Sequence, residues 1–158
     1  MYKRQDWAIV LGNERKPTKI VTIVTNPYCN PCAGAHRTIE EILSHKNDIQ
    51  VRFVFSFNSL TSTDNKRRLM AEHVLALNAV SNKNLIKIAM ADWYEQKEKN
   101  FEEWKKKYPA PVLNDIVHDN LKQHLNWCQL TEITSTPTIL VDGYKLPYPY
   151  VLNDLKYF

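Results

Sequence analysis

Apolar residues fall in short, strand-length runs at both ends of the chain and in longer helical stripes through its middle. Trp7–Leu11 is a strand-like run, and Gly12–Pro17 (GNERKP) reads as the turn that closes it. Lys19–Thr25 (KIVTIVT) is rich in β-branched residues over a strand's length. Asn26, Pro27 and Tyr28 break it. From Ala33 to His45 the spacing turns helical, with Ala35, Ile39, Ile42 and Leu43 along one stripe. Ile49–Phe57 (IQVRFVFSF) alternates and predicts a half-buried strand.

A helical block follows. Asn65–Val80 carries Leu69, Val74, Leu75 and Leu77 at helix spacing, and Asn84–Tyr94, Phe101–Lys107 and Asp115–Leu130 continue in the same style. Trp93, Tyr94, Phe101, Trp104 and Tyr108 read as core anchors of this block, with a substrate groove as the alternative. Thr136–Val141 then predicts a strand, Asp142-Gly143 a hairpin turn and Tyr144–Leu146 its partner. Asn153–Phe158 reads as a short closing helix, with Tyr148 and Tyr150, flanking Pro149, tethering the C-terminal segment. No repeat or interdomain linker interrupts the pattern. The expectation is one α/β domain over 1–158, with a helical insertion over about 64–130.

Composition narrows the class. With 158 residues, 44% hydrophobic and 24% charged, the chain can build a core and is not a disordered type. The net charge of +4 is modest, and its densest run, Lys105–Lys107, suits the negative end of a helix dipole. Nothing matches a nucleic-acid-binding motif, so no nucleic-acid partner is expected. No apolar run approaches the ~20 residues that cross a bilayer. The charged start, Met1–Trp7, lacks the apolar core of a signal peptide. The chain is therefore read as cytosolic, or as a mature or excised piece whose targeting segment is missing.

Three cysteines do not make a stapled scaffold when two sit three apart, at Cys29 and Cys32. Cys29-Asn30-Pro31-Cys32 lies where a strand hands over to a helix. A sulfur at a helix N-terminus faces unpaired N–H groups and the positive end of the dipole, which favour the thiolate. Pro31 is tolerated because first-turn N–H groups have no intrahelical partner. Cys29 is thus read as the nucleophile and Cys32 as the resolving thiol of a pair that needs no cofactor. Half of a zinc site is the rival, with Cys128, His36, His118 and His124 available, but no second CxxC completes it. A purely structural disulfide gains little, because so short a loop constrains little chain entropy.

Lesser candidates each have a bland reading. His36, one turn beyond Cys32, tunes the pair or is a surface or packing histidine. Cys128, beside Trp127, is a small buried apolar residue or a third redox thiol. Tyr28 shapes the lip of the site or packs the turn. Thr136-Pro137-Thr138 opens a β-rich run more than a hundred residues after the cysteines, and alone means little.

Together, strand–CxxC–helix and a later Thr-Pro-Thr strand with a Gly-turned hairpin resemble the thioredoxin superfamily. The helical insertion resembles its DsbA-like branch. PYCNPCAGAH (Pro27–His36) and TSTPTILVDGYKLP (Thr134–Pro147) resemble bacterial thioredoxin-like domains fused to vitamin K epoxide reductase-type membrane proteins. The resemblance implies a central mixed sheet flanked by helices, with the insertion between a βαβ and a ββα half. It implies a thiol–disulfide oxidoreductase acting on protein or peptide dithiols and disulfides, with a membrane-embedded, quinone-linked redox partner and an extracytoplasmic location. It further implies that Pro137 is cis beside the cysteines and that the Thr136 backbone pairs with an extended substrate. One departure is visible: many members carry a buried carboxylate six residues before the first cysteine, where this chain has Ile23. Proton handling then falls to water or another group; Glu40 and Glu41 read as solvated. A rival of another class is a non-catalytic peptide-binding module.

Overall fold

The computed structural model describes residues 7–57, 65–112 and 114–158. The charged segment Met1–Asp6 and the expected first residue of the insertion, 64, lie outside them. Five strands form one sheet in the order β1-β3-β2-β4-β5: β1 (Ile9–Gly12), β2 (Lys19–Thr25), β3 (Ile49–Phe55), β4 (Thr138–Val141) and β5 (Tyr144–Lys145). β2 and β3 run parallel, joined through α1 (Asn30–His45), and the other pairings are antiparallel. The sheet is mixed, as expected. Between β3 and β4 come α2 (Lys66–Val80), α3 (Lys83–Glu95), α4 (Phe101–Lys107) and α5 (Asp115–Leu130).

The expectation of a half-buried β3 is corrected. All seven of its residues are buried, because the strand lies between β1 and β2 with side chains packed on both faces. One face joins Val51, Phe53 and Phe55 to α1 and the α2–α4 block; the other joins Val54 to Val24, Leu140 and, from α5, Trp127 and Cys128. The polar positions that produced the alternation are interior as well. Arg52 Nε donates to Gln50 Oε1 (2.7 Å), and Gln50 Nε2 donates to the Asn13 carbonyl (3.0 Å). Buried polar groups are tolerated when paired in this way.

The aromatic block is core, as read. Trp93 is fully buried, Trp104 stacks 5.5 Å from it edge-on, and Phe101, Tyr94 and Tyr108 surround the pair. Leu69 corrects the stripe assigned to α2, since it is 41% exposed. α4 matches its charges to its dipole, with Glu102 and Glu103 in the first turn and the exposed Lys105–Lys107 in the last. The closing segment is a 3₁₀ helix, Leu152–Tyr157, one residue earlier than the spacing gave. Tyr150 meets Phe158 edge-on (5.8 Å), but Tyr148 is almost wholly exposed and tethers nothing.

The β4–β5 hairpin turns through Asp142 and Gly143, both at positive φ (50° and 86°), as a two-residue primed turn requires. Asp142 Oδ1 also accepts the Ile20 N–H (2.8 Å), fixing the turn to β2. Among the described residues no helix is long and apolar enough to cross a membrane.

Candidate active site

β2 ends at Thr25, and Asn26 organises the turn into α1. Its Oδ1 accepts the Tyr28 N–H (3.0 Å), and its carbonyl accepts the Cys29 N–H (3.1 Å). α1 begins at Asn30, earlier than the apolar spacing shows, because Cys29 serves as N-cap and Pro31 occupies the first turn. The Cys29 Sγ accepts the Cys32 N–H at 3.3 Å. A first-turn amide is thus aimed at the sulfur, the contact that supports negative charge there. Asn30 and Pro31 are exposed between the two cysteines.

The sulfurs differ sharply in access. Cys29 is half-buried, whereas Cys32 is 1% exposed and its Sγ accepts the Asn26 N–H (3.4 Å). The two are near but unbonded. Burial pushes the Cys32 thiol up to about 11, the Asn26 N–H offsetting part of that. The buried thiol therefore stays protonated near neutral pH.

The structure brings the distant Thr-Pro-Thr segment against this pair. The peptide bond between Thr136 and Pro137 is cis, and the Thr136 carbonyl lies 3.7 Å from the Cys29 Sγ, in position to accept its S–H. β4 begins only at Thr138, so Thr136 and Pro137 form the loop that enters the strand, not its first two residues.

Some residues escaped the sequence reading. Trp93 Nε1 donates to the Pro27 carbonyl (2.8 Å), tying α3 to the turn before the cysteines. Asn26 showed only as a strand breaker; its amide contact with Cys32 has no sequence signal. Tyr28 takes the packing role, its ring edge-on to Trp93 (5.3 Å) and beneath the Lys66 ammonium (4.5 Å). Trp93→Phe removes the donor and leaves the Pro27 carbonyl buried and unpaired. It should lower stability by about 1–3 kcal/mol, read from urea unfolding midpoints.

The lesser candidates separate clearly. His36 is interior, which corrects the surface alternative: it is 3% exposed and stacks on Tyr94 (4.7 Å). Glu40, read as solvated, is half-buried and pairs with His36 (3.3 Å), while Glu41 is exposed and pairs with Lys156. Cys128 is buried on the opposite face of the sheet from Cys32, and burial pushes its thiol up to about 11. Among the described residues no three His, Cys, Asp or Glu side chains gather into a metal-holding group. His118 is exposed, and His124 Nδ1 is occupied by the Phe55 N–H (3.0 Å).

A family model described as thioredoxin matches residues 5–157. The chain belongs to the thioredoxin family. Comparison with curated proteins gives no match. Among solved structures, the chain is similar to Proteus mirabilis ScsC in a transitional conformation (TM-score 0.75, 15% identity, 95% of this chain and 69% of that one). It is similar to a periplasmic thioredoxin-like protein from Salmonella enterica serovar Typhimurium (0.72, 15%, 95% and 86%). The thiol-disulfide exchange protein alpha-DsbA2 from Wolbachia pipientis is a third (0.67, 16%, 94% and 83%). Coverage this high takes in the α2–α5 block as well as the sheet. The fold shared with these thioredoxin-fold proteins, the DsbA-like ones among them, thus includes the helices between β3 and β4.

Proposed function

We propose that this thioredoxin-family chain is a thiol–disulfide oxidoreductase that exchanges disulfides with protein or peptide thiols through Cys29 and Cys32. One observation carries the reading: a half-buried sulfur accepts a helix amide, lies against the carbonyl preceding a cis proline, and has a fully buried second thiol one turn behind it. In the reducing direction the Cys29 thiolate attacks a substrate disulfide. A Cys29–substrate disulfide forms, the substrate S–S bond breaks, and the departing sulfur takes the electron pair. Cys32 then attacks the Cys29 sulfur, closing the intramolecular disulfide and releasing the second substrate thiolate. The pair has lost two electrons and the substrate disulfide has gained them. Run backwards, the same steps oxidise a dithiol, and the potential relative to the partner sets the direction.

Thr136 and Pro137 hold the substrate strand in this reading. The Thr136 backbone adds an extended segment beside the cysteines, as strand addition does elsewhere. Asn30 and Pro31 are uncharged, small and exposed, and leave Cys29 approachable. The α2–α5 helices are an insertion in one domain spanning 1–158. The named likeness to a periplasmic protein supports an extracytoplasmic site of action. In this reading a membrane-embedded, quinone-linked protein is the partner that resets the pair, which rests on the sequence resemblance alone.

Alkylation with mass spectrometry across a series of glutathione buffers tests the proposal. Cys29 and Cys32 should pass together from alkylated thiol to disulfide over a narrow range of poise, with Cys128 unchanged throughout. If the pair stays in one state at every poise, the proposal is wrong.

A further inference from the structure

The resolving step needs a base. Cys32 must lose a proton before it can attack, yet it is fully buried, and burial holds its thiol at about 11. On β2 the cluster around it offers Ile23, which cannot ionise. On α1 itself, His36 lies one turn beyond Cys32 and Glu40 one turn beyond His36. Residues four apart share a helix face, and helical side chains lean toward the N-terminus, so His36 leans back over the turn that carries Cys32. Glu40 leans back in the same way, and its Oε1 stands 3.3 Å from His36 Nε2. Both ring nitrogens are buried and neither makes a hydrogen bond, Nε2 having only the ion-pair approach of Glu40.

Resting on the oxidoreductase reading above, we propose that His36, held by Glu40, takes the proton from Cys32 during resolution and returns it in the reverse step. The Cys32 proton passes to the imidazole as the sulfur's electron pair forms the bond to Cys29, and the bond from Cys29 to the substrate sulfur breaks. Glu40, whose carboxylate stands beside Nε2, stabilises the imidazolium, and because it is half-buried it connects the ring to solvent. His36 in turn holds the Glu40 carboxyl below its usual range, with Lys87 adding to that.

The other groups around His36 are poor bases. Tyr94 of α3 stacks on the ring, but burial pushes its phenol far up and its hydroxyl is engaged with Thr25 Oγ1 (2.7 Å). Phe53 of β3 covers another side at 5.5 Å and cannot ionise. Beyond Tyr94 lies Lys99, its Nζ 5.9 Å from that ring and donating to the carbonyls of Trp93, Tyr94 and Gln96; the Arg37 charge on α1 acts on it electrostatically. The Cys32–His36–Glu40 stripe is the path that has both a free nitrogen and an exit.

The test separates the two chemical steps. The reduced protein is mixed with the symmetric disulfide of thionitrobenzoate, and release of each coloured thiolate is followed by stopped flow. Attack by Cys29 gives the first release and resolution by Cys32 the second. His36→Gln and Glu40→Gln should each slow the second release at neutral pH, the former by about tenfold or more. The gap should close as pH approaches the value of about 11 at which Cys32 ionises unaided. The first release, timed in a Cys32→Ser background with and without His36→Gln, should not move. A second release with the parent's rate and pH profile in both variants overturns the proposal. So does a loss of both steps together in His36→Gln, which marks a packing role. Glu40→Gln, at a half-buried position, keeps the test open if His36→Gln fails to fold. No first release from the parent would sink the oxidoreductase reading itself, an outcome distinct from the others.

Discussion

Cys29→Ser should abolish disulfide exchange, whereas Cys32→Ser should leave the protein joined to its substrate. The asymmetry follows from access. Only Cys29 is reachable from solvent, so a disulfide meets its sulfur first, and a serine hydroxyl cannot take part in exchange with disulfide sulfur. Cys32, at 1% exposure, cannot stand in for it. The Cys29→Ser protein should still fold, because serine is a favoured N-cap and its hydroxyl can accept the Cys32 N–H that Sγ now accepts. The loss is therefore chemical, to the background rate. In Cys32→Ser the first step proceeds and the second has no nucleophile, so a mixed disulfide accumulates. Turnover of a peptide disulfide with dithiothreitol, alongside intact-mass measurement, reads both. Substantial turnover by Cys29→Ser, or no adduct on Cys32→Ser, would be inconsistent with the assigned roles.

The second large effect is on stability and comes from His124, far from the cysteines. It is fully buried in α5, its Nδ1 accepts the Phe55 N–H, and its ring packs against Phe55 and Trp7. Protonating Nδ1 would break that hydrogen bond and place a charge in the core. Burial accordingly holds the imidazole down to about 3, with a backbone contact at Trp7 offsetting part of it. In the unfolded chain the same ring titrates near its ordinary 6.5. The folded pKa is the lower one, so unfolding takes up a proton between those values. The stabilisation is complete above pH 6.5 and is lost as pH falls toward 3. Between pH 7 and 5, before most carboxylates titrate, His124 should remove about 2 kcal/mol of stability. His73, also lowered by burial, acts in the same direction. In His124→Gln the amide oxygen can accept the Phe55 N–H without titrating, so its urea midpoint should fall less between these pH values. An equal fall in parent and variant would rule His124 out as the source.

Local pattern carried most of the fold. The β-branched run of β2 and the Asp-Gly hairpin depend on neighbours in sequence, and both elements lie close to where the spacing put them. The placement of Cys29 at a strand–helix junction was likewise legible, because proline and the cap residue mark a helix start. Tertiary packing overrode pattern elsewhere. Gln50 and Arg52 mimic a solvent face in β3 but pair with each other inside. Leu69 mimics a core position on α2 and is largely exposed. His36 gave no sign of being interior, since its burial depends on Tyr94 and Phe53 from two other elements.

The approach of Thr136 to Cys29 spans 107 positions, and no local rule relates them. It was legible only through the resemblance. The Trp93 tie to Pro27 was not legible at all, because an indole N–H gives no hint of which distant carbonyl it will meet.

The most direct test of the account is the rate at which each cysteine of the reduced, native protein reacts with iodoacetamide, resolved by peptide mass spectrometry at neutral pH. Cys29 should react first and far faster, with Cys32 and Cys128 protected until the protein unfolds. Equal rates at the three sulfurs, or a Cys29 as slow as Cys128, would contradict it.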